Sequence, residues 1–247
     1  MLSGEVSHSL RQLTLTSLAI SSLTTSALPD LHNLTDLALP RNLLTEVPSF
    51  LVTWSLTSLN LEGNRISRLT TGHLPRTLQH LYLANNRIQV IDPDTFHQLP
   101  GLIDLDLSKN PQLTPGQDTF RSLTRGFLNL AHTRLDSLDF VRESWVSTVS
   151  LEVSGAGLPC DCKLRYFLLN RTADISGTCL DYVGEQVRVP GREFWEYVRG
   201  VDCDCLREAG ESCAQPVLVS HSGARGTRPV SSLLAFSLSL MSLATLP

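Results

Sequence analysis

The segment Leu-Gln-His-Leu-Tyr-Leu-Ala-Asn-Asn-Arg-Ile at residues 78–88 carries the pattern that decides the fold of this 247-residue chain. It fits Leu-x-x-Leu-x-Leu-x-x-Asn-x-Leu, in which leucines at the fourth and sixth positions alternate with other residues. Such alternation is typical of a short strand that buries one side chain and exposes the next. The pattern recurs seven times, with its sixth position at Leu15, Leu39, Leu61, Leu83, Leu107, Leu130 and Val153.

The seven copies follow one another at steps of 22 to 24 residues. A unit of this length is too small to bury its own apolar face, so neighbouring units must stack into one continuous core. The period is typical of leucine-rich repeats. We therefore predict an α/β fold: a leucine-rich-repeat solenoid with a parallel sheet on its concave side, an irregular or short-helical convex side, and a disulfide cap at its C-terminal end.

The ninth position of the pattern is asparagine in the four central repeats, at Asn42, Asn64, Asn86 and Asn110. An inward-turned amide at this position can pair with the backbone of the bend after the strand, because buried backbone groups need hydrogen-bond partners. The remaining three repeats have Leu18, Thr133 and Ala156 there. Such departures are expected in terminal repeats, which face a cap instead of another repeat.

Aromatic residues on the convex side are expected to belong to the core. Phe96 and Phe120 each follow the ninth-position asparagine by ten residues, so they should pack one above the other. Trp145 lies near the last repeat, and Phe194-Trp195-Glu196-Tyr197-Val198 indicates a short amphipathic element packed beneath the cysteine bridges.

The segment at residues 151–164 carries a family resemblance. Its Cys160-Asp161-Cys162-Lys163-Leu164 resembles the junction between the last repeat and the C-terminal cysteine cap of extracellular leucine-rich-repeat proteins, in which the pattern is Asn-Pro-Phe-x-Cys-x-Cys-x-Leu. This chain has Ala156-Gly157-Leu158 in place of the first three residues but keeps both cysteines. Over about residues 10 to 205, and with its apolar tail, the chain is similar to GPI-anchored adhesion proteins of the connectin and chaoptin type.

All six cysteines lie within residues 160–213. An even number in a short segment favours disulfides formed in an oxidising compartment, and the sequence alone leaves their pairing open. Two Cys-x-Cys units could instead offer four thiolates to zinc. The resemblance implies the cap pairs Cys160–Cys179 and Cys162–Cys203, which leaves Cys205 with Cys213. On that interpretation we expect no metal site.

These features divide the chain into four segments: repeats at 1–158, a cysteine-rich cap at 159–213, a polar linker at 214–229 and a hydrophobic tail at 230–247. The uncharged tail is shorter than the roughly 20 apolar residues of a spanning helix. Small residues at 222–224 followed by a polar spacer and this tail fit a GPI signal, with Ser222 as the attachment site. The alternatives are a short single-pass anchor and a disordered apolar tail.

The expected location is the outer leaflet of the plasma membrane, and it conflicts with the first residues. Residues 1–9 lack the basic and apolar regions of a secretory signal, which a GPI-anchored protein needs. We therefore expect that the native chain starts further upstream and contains more repeats. Asn33 and Asn170 begin Asn-x-Thr sequons and are candidate N-glycosylation sites.

The outward side chains of the concave strands form the default binding surface of such a solenoid. Across repeats four to six, Tyr82 and Phe127 offer large rigid contact areas of the kind that anchor protein interfaces, and Phe127 lies where water is expected. The candidate ligand-binding residues are His80, Tyr82, Asp104, Asp106, Phe127, Asn129 and His132.

Several classes of function are disfavoured. The net charge of −4 argues against nucleic acid, which requires a basic stripe. Asp104 and Asp106 share a strand, but an open face has no desolvated cleft that would separate their pKa values for acid–base catalysis. His80 and His132 could join Asp104 at a metal ion, but they come from distant repeats and make a weak metal site. We therefore expect no enzyme and no cofactor. The predicted function is adhesion or recognition through a protein ligand or a second copy, with a matrix structural protein or an immune-type receptor as alternatives.

Overall fold

The computed structural model describes residues 9–28, 31, 33–141, 143–145, 148–170, 174–181 and 183–199. The strands are β1 (Gln12–Thr14), β2 (Asp36–Ala38), β3 (Ser58–Asn60), β4 (Arg68–Leu69), β5 (His80–Tyr82), β6 (Val90–Ile91), β7 (Asp104–Asp106), β8 (Gly126–Asn129), β9 (Val149–Glu152), β10 (Asp174–Leu180) and β11 (Gln186–Val189). Within the described residues, nine of them form one sheet in the order β1-β2-β3-β5-β7-β8-β9-β10-β11.

Each repeat contributes one strand to this sheet, and the strands from β1 to β10 pair in parallel. The register places the fourth-position leucines directly opposite one another, for example Leu37, Leu59 and Leu81. These three side chains are at most 1% exposed, whereas the residues on either side of them face outward. The predicted solenoid with a parallel concave sheet is confirmed.

The convex side is built from short elements, as predicted. Its 3-10 helices are Thr25–Ala27, Ser49–Thr53 and Glu143–Trp145, and β4 pairs with β6 in a small second sheet. Phe96 and Phe120 are buried and stacked with ring centroids 5.7 Å apart, which confirms the predicted packing. Edge-on and tilted ring contacts continue this row through Phe140 to Trp145, whose Nε1 donates a hydrogen bond to the Leu123 carbonyl at 2.7 Å.

The bends after the strands have two regular features. The predicted inward asparagines are confirmed: Asn64 Nδ2 donates to the carbonyls of Leu39 and Leu61 at 2.9 Å, and Asn64 Oδ1 accepts from the Leu44 N–H. One position earlier, every repeat has a residue with positive φ, and its backbone turns there into the left-handed region. These eighth-position residues are Ser17, Arg41, Gly63, Asn85, Lys109, His132 and Gly155.

The part of the predicted cap that is described continues the sheet beyond the last repeat. It contains helix α1 (Cys162–Asn170), strands β10 and β11, and helix α2 (Arg192–Arg199). Phe194 and Val198 on α2 are buried, so the predicted amphipathic element is confirmed.

The structure contains the disulfide between Cys160 and Cys179 that the resemblance implies, and Cys162 is also disulfide-bonded. The zinc alternative is therefore wrong for these three residues, because a bonded sulfur is no thiolate ligand. The predicted Cys162–Cys203 and Cys205–Cys213 pairs and the Ser222 attachment site involve positions outside the described residues. In the described part of the chain, no helix has both the length and the apolar character needed to cross a membrane.

Candidate functional site: the concave face

The concave face consists of the outward side chains at the third and fifth positions of the seven repeats. Because the strands pair in register, each third-position residue lies beside the next third-position residue, as His80, Asp104 and Phe127 do. The fifth positions Tyr82, Asp106 and Asn129 form the adjacent row. Six of the seven candidate residues therefore lie together on three neighbouring strands, as the repeat pattern predicts.

His132 does not join this group, and its predicted place on the strands is wrong. Strand β8 ends at Asn129, so His132 lies in the following bend at the eighth position, where its φ is 56°. Its imidazole covers Gly155 of the next repeat: a Cβ atom added to Gly155 would lie 2.5 Å from His132 Nδ1. His132 therefore belongs to the flank of the solenoid and not to its concave face.

A diagonal hydrogen bond orders the centre of the face. Tyr82 Oη donates to Asp104 Oδ2 at 2.7 Å, and His80 Nδ1 lies 3.6 Å from the same oxygen. Partial burial, the hydrogen bond to Asp104 and the negative charges of Asp104 and Asp106 raise the pKa of Tyr82 to about 12. The phenol is therefore protonated throughout the physiological range, and its hydroxyl links strands β5 and β7.

Phe127 is the most exposed apolar residue of the face. Its side chain is 41% exposed at the third position of β8, where the neighbouring third-position residues are polar. A large apolar side chain exposed on a strand is unfavourably solvated in the free protein. Burying it against a partner removes apolar surface from water and stabilises the complex. Phe127 is therefore the apolar side chain that the concave face leaves open to contact with another molecule.

The fifth-position polar residues also have a structural use that the sequence analysis missed. Asp106 Oδ1 accepts a hydrogen bond from the Ser108 N–H at 2.9 Å, and Asn129 Oδ1 accepts from the Ala131 N–H at 3.0 Å. Asn60 makes the same contact with Glu62. A short polar side chain that accepts a hydrogen bond from the backbone N–H two residues later is typical of turns. The position of these residues directly before each bend is the feature of the sequence from which this role could have been predicted.

Glu152 has the same role in the last repeat. Its Oε1 accepts from the Ser154 N–H and its Oε2 from the Ser176 hydroxyl, both at 2.8 Å. Burial alone would raise the pKa of Glu152, but the hydrogen bonds from Ser154 and Ser176 outweigh it and hold the pKa below its usual value.

The concave face is acidic as a whole. Its fourteen third- and fifth-position residues include no lysine or arginine, and its four carboxylates belong to Asp36, Asp104, Asp106 and Glu152. Within the described residues, no group of three or more histidine, cysteine, aspartate or glutamate side chains is arranged to hold a metal ion. The arrangement of charges and aromatic rings therefore suits a partner surface with basic or hydrogen-bonding residues around an apolar pocket.

Comparisons with known proteins agree with this architecture. The family described as Leucine rich repeat matches residues 76–135. Fibromodulin from Oryctolagus cuniculus is 34% identical over 138 residues, which are 55% of this chain and 93% of that sequence. The chain belongs to the leucine-rich-repeat family. Lumican from Mus musculus, another relative, is 35% identical over 214 residues, which cover 84% of this chain and 60% of lumican.

Other leucine-rich-repeat relatives are much longer than the matched region. The chain spans only 11% of the leucine-rich repeat-containing G-protein coupled receptor 5 from Rattus norvegicus, to which it is 41% identical over 103 residues. Among solved structures, an internalin from Listeria monocytogenes has a TM-score of 0.54 at 19% identity, with 73% of this chain and 50% of that chain covered. This likeness reflects the leucine-rich-repeat fold alone.

Proposed function

We propose that this chain is a protein-binding scaffold that works outside the cell in adhesion or recognition, with the concave face as its contact surface. The observation that carries the proposal is Phe127, exposed on a rigid strand beside an ordered, acidic group of side chains. Binding by such a face needs no conformational change and no cofactor. The proposed partner is a protein ligand or a second copy of this chain.

The extracellular location is supported by two observations. Cys160, Cys162 and Cys179 are disulfide-bonded, and stable disulfides are typical of secreted and cell-surface proteins. The relatives include extracellular matrix proteins and a cell-surface receptor. We further propose N-glycosylation at Asn33, whose side chain is exposed in the turn before β2, and at Asn170.

The binding experiment uses the full chain, produced in animal cells behind an added secretory signal and purified from the medium or from detergent extracts of the cells. It is multimerised on beads so that weak contacts gain avidity. The beads are screened against a panel of secreted and cell-surface ectodomains, and against beads that carry the same chain. For each interaction found, Phe127→Ser should weaken binding at least tenfold, because an exposed aromatic anchor commonly contributes more than about 1.4 kcal/mol. Val90→Ser is the matched control, since Val90 is 44% exposed on the convex side.

Unchanged binding by Phe127→Ser, or equal losses in both variants, would contradict the assignment of the concave face. Bead-to-bead aggregation that Phe127→Ser removes would identify the partner as a second copy. Binding to a soluble ectodomain alone would favour recognition over adhesion.

The mode of membrane attachment is a separate part of the proposal. We propose a GPI lipid at Ser222, with residues 223–247 removed and residues 230–247 as the hydrophobic part of that signal. Small residues at 222–224, a polar spacer and an uncharged tail support this proposal. Phosphatidylinositol-specific phospholipase C should release the protein from intact cells that express it. Retention on the cells would contradict the lipid anchor.

A matrix protein is the second candidate, and the similarity to fibromodulin and lumican favours it. In that case the chain would be found in the medium or in the insoluble matrix of expressing cells without phospholipase treatment. The binding experiment with Phe127→Ser applies to both candidates, whereas the release experiment separates them.

A further inference from the structure

The bends that follow strands β2, β3, β5, β7 and β8 each carry one exposed cation. We call this set the basic row, and it consists of Arg41, Arg65, Arg87, Lys109 and Arg134. Each member lies immediately before or after the buried ninth-position residue, so its own side chain points away from the core. Glu62 is the one acidic residue at the seventh, eighth and tenth positions of these five repeats.

Backbone hydrogen bonds between turns fix the members of the row relative to one another. The N–H of Arg65 donates to the Leu44 carbonyl at 2.8 Å, and the N–H of Arg87 donates to the Ile66 carbonyl at 2.9 Å. The N–H of Lys109 donates to the Ala131 carbonyl of the following repeat at 2.8 Å. With parallel strands about 4.8 Å apart, the five turns distribute their cations over about 20 Å along one flank of the solenoid, two at the eighth position of the repeat and three at the tenth.

The cations of the row differ from the arginines of the convex side in their partners. Convex Arg68 pairs with Asp92, and Arg121 pairs with Asp94. In the described part of the chain, neither the first three arginines of the row nor Lys109 forms an ion pair. Arg134 lies 3.8 Å from Asp136, and both side chains are 70% exposed.

The solenoid therefore separates charge between its surfaces. The chain has a net charge of −4, yet five cations and one carboxylate occupy the bend positions, while the concave face carries four carboxylates and no cation. Like charges at this spacing repel one another, and a polyanion laid along the flank removes that repulsion and releases its own condensed counterions.

We propose that the basic row binds a linear sulfated polysaccharide. A row of cations with one per turn matches one extended anionic chain, and guanidinium groups bind tetrahedral oxyanions such as sulfate through paired hydrogen bonds. A nucleic acid fits less well, because single strands are held on aromatic side chains. The seventh to tenth positions of all seven repeats contain no phenylalanine, tyrosine or tryptophan. The bonded cysteines also indicate a compartment in which such polysaccharides occur.

The test measures binding of the full chain to heparin at several salt concentrations. In the variant Arg65→Gln with Arg87→Gln, heparin binding at about 0.15 M salt should weaken about tenfold, and the slope of log K against log salt should fall by about two, one for each lost contact. The matched control is Arg76→Gln with Arg125→Gln. Both of these arginines are exposed, but they precede strands β5 and β8 and lie at the opposite strand ends. The control should change binding less than twofold.

Equal losses in the two double variants would overturn the proposal, because they would indicate attraction by overall charge. Chemically desulfated heparin should bind at least tenfold more weakly than heparin, and equal binding would exclude sulfate as the recognised group. Single-stranded poly-U RNA bound as tightly as heparin would replace the polysaccharide by nucleic acid. Unchanged thermal unfolding of both double variants, measured by circular dichroism, shows that folding is not the cause of any loss.

Discussion

The central turns and the C-terminal turns of this solenoid close the same bend in different ways. In the central turns an asparagine side chain connects two repeats: Asn86 Nδ2 donates to the carbonyls of Leu61 and Leu83 at 3.0 Å, and Asn86 Oδ1 accepts from the Ile66 N–H. In the sixth turn, Thr133 Oγ1 donates to the Leu130 carbonyl of its own repeat. The side-chain link between neighbouring turns is absent at this position.

The C-terminal turns replace that link by aromatic packing and a covalent bond. Phe140 contacts both Phe120 and Trp145 on the convex side, and the Cys160–Cys179 disulfide joins the end of the last repeat to β10. The asparagines are therefore one of several means of providing hydrogen-bond partners and support for the bend. Where packing and a crosslink hold the turns, a shorter polar side chain is sufficient.

The largest expected effect concerns Gly126, the first residue of β8. Its φ is 103°, and a Cβ atom there would lie 2.0 Å from the Ile103 carbonyl oxygen in the neighbouring repeat. Gly126→Ala should lower the free energy of unfolding by about 4 kcal/mol, from backbone overlap and from the positive φ together. Urea unfolding followed by circular dichroism measures this loss.

Gly72→Ala is the control for Gly126→Ala. Gly72 also has a positive φ, of 84°, but no atom lies within 4 Å of an added Cβ. Its cost should be about 1 kcal/mol, from the backbone conformation alone. Similar losses in the two variants would show that the close approach of β7 and β8 is not required.

The second prediction tests the asparagine link directly. Asn86→Ala leaves the buried Ile66 N–H without its partner and removes one of the two amide donors from each of the Leu61 and Leu83 carbonyls, so we expect a loss of about 2 kcal/mol. Asn85→Gly removes the neighbouring exposed side chain and keeps the left-handed φ of 56°, and it should change stability by less than about 0.5 kcal/mol. A loss below about 1 kcal/mol for Asn86→Ala would show that the asparagine side chain does not hold the central turns together.

The repeat pattern predicted the packing of the central turns because each of these repeats has the same spacing. The inward asparagines and the stacking of Phe96 on Phe120 followed from fixed offsets within the repeat. The sequence did not predict the place of Phe140, because Phe140 follows Thr133 by seven residues instead of ten. Only the structure shows that its ring packs edge-on against Phe120. The left-handed eighth position was also missed, since different residue types occupy it.

For the candidate surfaces, too, the sequence predicted what depends on spacing and not what depends on side-chain orientation. The strand register brought six of the seven concave candidates together, and His132 was misplaced because the bend begins directly after β8. The diagonal contact between Tyr82 and Asp104 depends on side-chain orientation, which spacing does not determine. The cations of the basic row are single residues 22 to 25 positions apart, so they form no basic run in the sequence.

The third prediction measures the weaker bond of the sixth turn. Thr133→Ala removes a single side-chain hydrogen bond to the Leu130 carbonyl, so the free energy of unfolding should fall by about 1 kcal/mol. Thr114→Ala, at an exposed position in the preceding repeat, should have no measurable effect. A loss for Thr133→Ala as large as that for Asn86→Ala would mean that both kinds of turn depend equally on the ninth position.

The smallest effect is expected at Glu152, and its dependence on pH is the sharpest test of how the last turn is held. The pKa of Glu152 is below its usual value in the folded protein, so the carboxylate form is the one that the hydrogen bonds from Ser154 and Ser176 stabilise. This contribution is present above about pH 4.5, the ordinary value in the unfolded chain, and is lost as the pH falls through the lower pKa of the folded protein. Glu152→Gln should therefore cost about 0.5 to 1 kcal/mol at pH 7 and less near pH 3. The exposed Glu46→Gln is the control and should be neutral at both pH values. An equal cost for Glu152→Gln at pH 7 and pH 3 would show that its charge has no part in holding the last turn.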